Sequence, residues 1–237
     1  MDVGGTRMSK RMNEHFFDTR LEASEAAAKR MAELLSNRLD NQAEASIIVS
    51  GGTTPGQCLA ALAKTPLDWQ RVQVALSDER WVPADHEDSN EKLVRESLLV
   101  NEAATAQLLP VYAAGVSPEQ RCEALQNPLP ALPFSCSLIG MGTDGHFASL
   151  FPDAEQLALG LDVECGRLYI PVTTKASPHP RISMTLAGIS RSDEIALLFF
   201  GEEKLDVYKK ALESTNGFPV SRLLRQKRAP VRLFWAP

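Results

Sequence analysis

An apolar segment in the middle of the chain leads into a glycine-rich loop that contains an aspartate and a histidine. The loop spans residues 140–152 and reads Gly-Met-Gly-Thr-Asp-Gly-His-Phe-Ala-Ser-Leu-Phe-Pro. Glycines such as Gly142 let the backbone approach a ligand closely, while Asp144 and His146 supply a carboxylate and an imidazole. Because an imidazole exchanges protons near neutral pH, His146 is a candidate general acid or base. The pattern favours an active-site loop; the alternative is a strand-to-helix turn whose histidine bonds its own backbone.

A second glycine-rich loop follows the first predicted strand and has the composition of a phosphate cradle. Residues 50–56 read Ser-Gly-Gly-Thr-Thr-Pro-Gly, and the proline suits the first turn of a helix. Free backbone N–H groups and the helix dipole would face an anion there. The loop is neither a Walker A sequence nor a dinucleotide-binding G-x-G-x-x-G. A tight turn with a threonine N-cap is the alternative. The predicted anion-binding residues are Gly51, Gly52, Thr53 and Thr54.

Charged residues follow other predicted strands and could complete a site for an anion. Asp78 and Arg80 come directly after an apolar run, and the planar guanidinium of an arginine clamps a phosphate or an oxyanion well. A simple surface ion pair explains these two residues equally well. Lys204 falls in the first turn of a predicted helix, where a cation opposes the helix dipole unless an anion binds nearby. Arg181 is a further cation at the start of a predicted helical segment.

Composition and charge exclude several classes of partner. The chain has 237 residues, with 25 lysines and arginines, 30 aspartates and glutamates and a net charge of −5. No basic stripe with interleaved aromatic residues is present, so nucleic acid is not expected as a partner. No stretch has the length and apolarity of a membrane span, and the start of the chain has no apolar signal core. The four cysteines show no C-x-x-C spacing, which favours reduced thiols and a cytoplasmic protein.

Metal-binding motifs are missing from the sequence, and neither a metal nor another cofactor is expected. The four histidines form no H-E-x-x-H pair, and no EF-hand loop is present. The acidic segment Asp85-His86-Glu87-Asp88 contains ligand types for a cation, but a solvated loop explains it better.

Short apolar segments alternate with helical patterns along the chain. The predicted strands are residues 46–49, 72–76, 136–139, 168–172, 195–200 and 231–235. The predicted helices are residues 21–39, 55–64 and 90–100, a helix that Ser117 caps, and segments near 181–190, 201–213 and 218–227. This alternation predicts one α/β domain over residues 8–237, with a mostly parallel sheet and helices on both faces. Residues 1–7 are interpreted as an N-terminal extension.

Taken together, these segments resemble the 6-phosphogluconolactonase family over nearly the whole chain. The loop at residues 140–152 carries the most specific part of the resemblance. The other matching segments are Ser50-Gly-Gly-Thr-Thr-Pro, Ser77-Asp-Glu-Arg-Trp-Val-Pro, Asn90-Glu91, Arg181-Ile-Ser-Met-Thr and Gly201-x-x-Lys204. The resemblance implies a doubly wound, Rossmann-like α/β fold akin to the glucosamine-6-phosphate deaminases. It also implies hydrolysis of 6-phospho-D-glucono-1,5-lactone in the oxidative pentose phosphate pathway, without a required metal.

Lactone hydrolysis needs a base for the attacking water and an acid for the leaving ring oxygen, and His146 can serve both steps. Asp144 either orients the imidazole or shapes the loop. No Gly-x-Ser-x-Gly elbow is present, so direct attack by water is expected rather than a serine acyl-enzyme. The sequence leaves open which cation faces the lactone carbonyl. The residues expected around the sugar phosphate are Gly51, Gly52, Thr53, Thr54, Asp78, Arg80, Gly142, Arg181 and Lys204.

Two other functions share part of this pattern. A sugar-phosphate isomerase or deaminase would use the same phosphate cradle, but the deaminases carry a catalytic glutamate five residues after the loop histidine. This chain has Phe151 at that position. A non-catalytic sugar-phosphate sensor would have no need of His146. The expected partner is therefore a small sugar phosphate, bound by a monomer or a weak homodimer.

Overall fold

The computed structural model describes residues 12–126, 133–213 and 217–237, so the extension expected at residues 1–7 lies outside the described residues. The strands are β1 Met12–Phe16, β2 Ala45–Val49, β3 Val72–Leu76, β4 Asp78–Arg80, β5 Gln107–Leu108, β6 Cys136–Ile139, β7 Tyr169–Val172, β8 Arg181–Met184, β9 Ile195–Phe200 and β10 Val231–Ala236. The α-helices are α1 Arg20–Asn41, α2 Pro55–Leu62, α3 Asn90–Ser97, α4 Pro118–Leu125, α5 Leu157–Gly160, α6 Leu186–Ile189, α7 Glu202–Glu213 and α8 Val220–Arg225.

The larger sheet has seven parallel strands in the order β1-β10-β9-β6-β2-β3-β5. The chain runs outward from β2 to β3 and β5, returns to β6 on the other side of β2, and continues outward through β9 to β10. Because βαβ crossovers are right-handed, this reversal puts the helices of the two halves on opposite faces. The sheet is therefore doubly wound, as predicted, and its topological switch point lies between β2 and β6. Ligands bind at the carboxyl ends of the strands at such a point.

The strongest sequence patterns produce the elements that cover and fill this sheet. In α1 the buried positions Ala23, Ala27, Met31, Leu35 and Leu39 recur every four residues, so one face of the helix packs inward. Every residue of β2 is buried, as expected for a central parallel strand that is covered on both faces. The capping box that Ser117 and Gln120 were expected to form is present at the start of α4. Within the described residues, no helix is long and apolar enough to cross a membrane.

A small antiparallel sheet, in the order β4-β8-β7, stands at the carboxyl end of the larger one. It follows β3 directly, since Ser77 alone separates β3 from β4. The Tyr169 hydroxyl, from β7, donates a 2.7 Å hydrogen bond to the Leu76 carbonyl and joins the two sheets. The small sheet therefore forms a second wall beside the switch point.

The prediction of a helix near residues 181–190 was wrong for its first half. Arg181–Met184 is the central strand of the small sheet, paired on one side with β4 and on the other with β7. The helical part begins only after Thr185, whose side chain caps α6 by accepting from the Gly188 N–H at 3.1 Å. Pairing with the distant strands β4 and β7 decided the conformation of residues 181–184.

Candidate active site

A cavity of about 220 Å³ opens at the switch point, between the loop after β2 and the loop after β6. Asn90, from the start of α3, also lines it and was not predicted. Arg80 and Asp144 are the two predicted site residues that do not line the cavity. The predicted residues that do line it are Gly51, Gly52, Thr53, Thr54, Asp78, Gly142, His146, Arg181 and Lys204.

His146 and Asp144 form a pair at the tip of the loop after β6. The Nδ1 atom of His146 lies 2.5 Å from the Asp144 Oδ1 atom, and the same oxygen accepts the His146 backbone N–H at 3.1 Å. Asp144 therefore orients the ring and shapes the loop at the same time. With Nδ1 directed at the carboxylate, Nε2 is the ring nitrogen left for a ligand, and it has no hydrogen-bond partner in the part of the chain that the structure describes.

The loop can hold this pair because residue 142 has no side chain. The Gly142 N–H donates to the His146 carbonyl at 2.9 Å, and the Gly145 N–H donates to the Gly142 carbonyl at 3.1 Å. A Cβ atom on Gly142 would lie 2.3 Å from both Cε1 and Nδ1 of His146 and 2.7 Å from the Asp144 carboxylate. The imidazole thus packs directly on the Gly142 backbone, and any side chain there displaces it.

We expect Gly142→Ala to lower kcat for the lactone hydrolysis that the sequence implies by roughly 10²-fold. The new side chain displaces the His146 imidazole, and a misplacement of about 1 Å produces a loss of this size at a catalytic group. The matched control is Gly56→Ala in α2, which does not line the cavity and where no atom of the described residues lies within 4 Å of the new Cβ atom. Steady-state kinetics of both variants, with circular dichroism to verify folding, test this expectation. Equal activity of the two variants would contradict it.

The Phe151 ring connects His146 to the small sheet. Its centroid lies 4.1 Å from that of the imidazole, and the guanidinium carbon of Arg181 lies 5.2 Å from it. The ring is buried, with 5% of its surface exposed. His146 and Arg181 are thus held against one aromatic side chain, and both line the cavity.

Arg181 is further held by an acidic residue of the neighbouring strand. Its Nη1 atom lies 3.6 Å from the Asp78 Oδ2 atom and donates to the Ser149 hydroxyl at 3.2 Å. Ser149 in turn donates to the Asp78 carboxylate at 2.6 Å. Burial lowers the pKa of Arg181, and the Asp78 carboxylate opposes that effect. Because Arg181 lines the cavity and a guanidinium carries five N–H donors, it has donor capacity for a ligand there.

The loop after β2 supplies backbone donors to the same cavity. Gly51 packs on Asn90, where a Cβ atom would lie 1.9 Å from the amide oxygen, and Gly52 has a φ of +93°. Thr54, the N-cap residue of α2, makes no side-chain capping bond, which leaves the first N–H groups of the helix available to an anion. Lys204 is half-buried, and burial and the nearby charge of Arg20 lower its pKa. A bound anion would compensate the ammonium for its lost hydration.

Arg80 lies on β4 opposite Arg181 and has a backbone partner of its own. Its Nη1 atom donates to the Asp88 carbonyl at 2.5 Å. A role for Arg80 in substrate binding therefore stays a prediction.

Glu79, between Asp78 and Arg80, is the residue whose role the sequence analysis missed. Its fully buried carboxylate accepts the backbone N–H groups of Asn90 and Glu91, both at 2.7 Å, and the Ser89 hydroxyl at 3.1 Å. It thereby caps α3 and positions Asn90 in the cavity wall. Burial raises the pKa of Glu79, and the backbone hydrogen bonds oppose that effect.

Removal of this carboxylate should destabilise the fold. We expect Glu79→Ala to lower the free energy of unfolding by at least about 3 kcal/mol, because each buried donor left unpaired costs roughly 1–3 kcal/mol. Glu79→Gln keeps one acceptor oxygen and should lose less. The control is Glu25→Ala, an exposed acidic residue of α1, where the change should stay within about 0.5 kcal/mol. Urea unfolding followed by fluorescence measures all three, and a Glu79→Ala protein as stable as the control would refute the capping role.

The chain is similar to known proteins over nearly its whole length. Residues 18–235 match the family described as glucosamine-6-phosphate isomerases/6-phosphogluconolactonase. A 6-phosphogluconolactonase of Caulobacter vibrioides is 40% identical over 228 residues, which cover 93% of this chain and 95% of that protein. The crystal structure of a 6-phosphogluconolactonase from Shewanella baltica has a TM-score of 0.89 and 35% identity, and the match covers 96% of this chain and 99% of that chain. A monomeric glucosamine-6-phosphate deaminase, at a TM-score of 0.72 and 18% identity over 94% of this chain and 97% of the other, shares the fold.

Proposed function

The chain belongs to the 6-phosphogluconolactonase family, and from this premise we propose that it hydrolyses 6-phospho-D-glucono-1,5-lactone to 6-phospho-D-gluconate through a water molecule activated by His146. One observation carries the proposal. His146, held through Nδ1 by Asp144, lines the same cavity as the glycine and threonine loop and Lys204. A proton-transfer group and an anion-binding end thus face one small cavity.

The pair of His146 and Asp144 has the geometry of an oriented base. Asp144 holds Nδ1 as the hydrogen-bond donor, so Nε2 carries the lone pair that removes a proton from water. The hydroxide attacks the lactone carbonyl carbon and a tetrahedral oxyanion forms. Collapse of this intermediate breaks the bond to the ring oxygen, and the protonated Nε2 returns its proton to that leaving group. The products are a free hydroxyl and a carboxylic acid that releases its proton to solvent to become the carboxylate, with no covalent enzyme intermediate.

Arg181 is the cation best placed for the oxyanion. It shares the Phe151 ring with His146, and it lines the same cavity. A preorganised donor at the position where negative charge develops is a large contributor to catalysis. Asp78 and Ser149 are positioning residues, since they hold the guanidinium through the contacts described above.

Lys204 and the loop after β2 suit the phosphate. A phosphate monoester carries about −1.5 to −2 charges near neutral pH, and Lys204 approaches from the first turn of α7. Thr53, Thr54 and the start of α2 add hydroxyl and backbone donors. The proposal includes the rest of the expectation from sequence, namely a cytoplasmic enzyme that acts as a monomer or a weak homodimer without a required metal.

Phe151 argues against deamination of an amino sugar phosphate. The resemblance to the deaminases places their catalytic glutamate at this position, and here an aromatic ring packs on the imidazole instead. Deaminases share the fold, so the fold alone does not separate the two reactions.

The test is an assay of both reactions on the purified chain. We expect acid release from 6-phosphogluconolactone well above the spontaneous rate, with unchanged turnover after EDTA treatment, and no ammonia release from glucosamine 6-phosphate. A chain that fails to accelerate lactone hydrolysis, or that releases ammonia, would overturn the proposed function.

A further inference from the structure

Two histidines and an aspartate meet on the surface beside the small sheet, outside the cavity of the candidate active site. His86 and Asp88 belong to the loop between β4 and α3, and His179 precedes β8. One ligand atom from each residue lies within 4.8 Å of the other two. We propose that these three side chains bind a divalent transition-metal ion of the zinc class.

The distances are close to those of a metal complex. The Nε2 atom of His179 lies 3.2 Å from the Asp88 Oδ2 atom, and the Nδ1 atom of His86 lies 3.8 Å from the same oxygen. Ligand atoms around a tetrahedral zinc ion, at bond lengths of roughly 2.0–2.2 Å, are about 3.3 Å apart. Side-chain rotations alone can therefore bring the three atoms onto one ion.

The chemistry of the three ligands selects the class of metal. Two imidazoles and one carboxylate suit zinc and the late first-row metals, whereas calcium and magnesium prefer oxygen ligands. The Nδ1 atom of His86 accepts the Asp88 backbone N–H at 3.1 Å, so metal binding through this atom exchanges that hydrogen bond for the bond to the ion. Each side chain is partly exposed, which leaves the ion a path from solvent and at least one position for water.

The position of the cluster indicates what the ion would do. His179 lies two residues before Arg181, and the Asp88 carbonyl accepts a hydrogen bond from Arg80. A bound ion would tie the loop of residues 83–89 to the strand that carries Arg181. None of the three ligands lines the cavity, so this ion clamps the wall and does not activate the attacking water.

Local spacing could not predict the site. Residues 85–88 contain ligand types for a cation but favour a solvated loop, and they offer a single histidine. The second histidine comes from 91 positions away. Only the pairing of β8 with β4 brings it to the loop.

The test uses the full chain after dialysis against EDTA, titrated with ZnCl₂ by calorimetry and with CoCl₂ by visible absorption. We expect one equivalent to bind, with a rise in Tm of roughly 5 °C or more at a hundredfold excess over Kd. His86→Gln, Asp88→Asn and His179→Gln should each weaken binding by at least roughly 10-fold, the loss that even outer-shell substitutions cause. The controls are His15→Gln and Cys165→Ser, which should bind as the parent does.

Three results would overturn the inference. They are no saturable binding, binding that the three ligand substitutions leave intact, and binding that Cys165→Ser abolishes. Lactonase turnover of the metal-free protein tests the clamp separately. We expect it to equal that of the zinc-loaded protein, and a strict dependence on zinc would show that the ion belongs to the reaction.

Discussion

His146→Ala should lower kcat for 6-phosphogluconolactone by roughly 10² to 10⁴, the usual contribution of a positioned acid–base group. The variant should fold and still bind 6-phosphogluconate. The proposed phosphate contacts are made by Lys204 and the loop after β2, and they do not involve the imidazole. Stopped-flow or coupled kinetics give kcat after subtraction of spontaneous hydrolysis, and calorimetry gives the affinity for the product. A loss confined to kcat assigns the residue to the chemical step.

A matched substitution separates catalysis from a structural role. His15→Ala removes a histidine that stacks on Phe234 far along the sheet, at the edge formed by β1 and β10. Its kcat should equal that of the parent. Asp144→Asn keeps the loop compact but weakens the hold on Nδ1, so kcat should fall less than in His146→Ala. If His146→Ala retains parental turnover, or loses product binding and thermal stability together with turnover, the imidazole is not the base.

The sequence predicted the switch-point loops well because their chemistry is local. Glycines, hydroxyls and charged residues directly after buried strands mark the carboxyl ends of the sheet, and the fold brings Thr53, His146 and Lys204 to one cavity. The adjacency of Asp144 and His146 also allowed the oriented pair to be considered. Its geometry decides the question that the sequence left open, since one carboxylate oxygen both orients the ring and accepts the loop N–H.

The residues and strands whose roles were not recognised from the sequence depend on contacts between distant segments. Glu79 caps a helix that begins eleven positions later, and Phe151 gains its place only where Arg181 reaches it from another strand. The strand Arg181–Met184 alternates polar and apolar residues, a strand period that the helix prediction overlooked, and β4 and β7 flank it. β1 was missed because Met-Asn-Glu-His-Phe is mostly polar and is defined by its pairing with β10. The period of a sequence does not show which strands will pair.

The two cations that line the cavity, Arg181 and Lys204, should separate in their kinetic effects. Arg181→Met should lower kcat by roughly 10²–10³, the cost of removing one donor to a developing oxyanion. Lys204→Met should leave kcat nearly unchanged and raise KM by roughly 10- to 100-fold, because a hydrogen bond to a charged group is worth about 1.5–3 kcal/mol. The sequence alone left open which of these cations binds the phosphate and which faces the lactone carbonyl. The contact of Arg181 with the ring that also packs on His146 now favours the division.

The measurement is a comparison of phosphorylated and unphosphorylated gluconolactone, with Lys209→Met on the exposed side of α7 and Arg167→Met as controls. Lys204→Met should lose discrimination between the two lactones, whereas Arg181→Met should slow both. The pH dependence gives a second check. Because burial and Arg20 lower the pKa of Lys204, its charge disappears at a lower pH than that of a free lysine. Affinity for 6-phosphogluconate should therefore weaken over this alkaline range in the parent but not in Lys204→Met. Equal discrimination in all variants would place the phosphate elsewhere in the cavity.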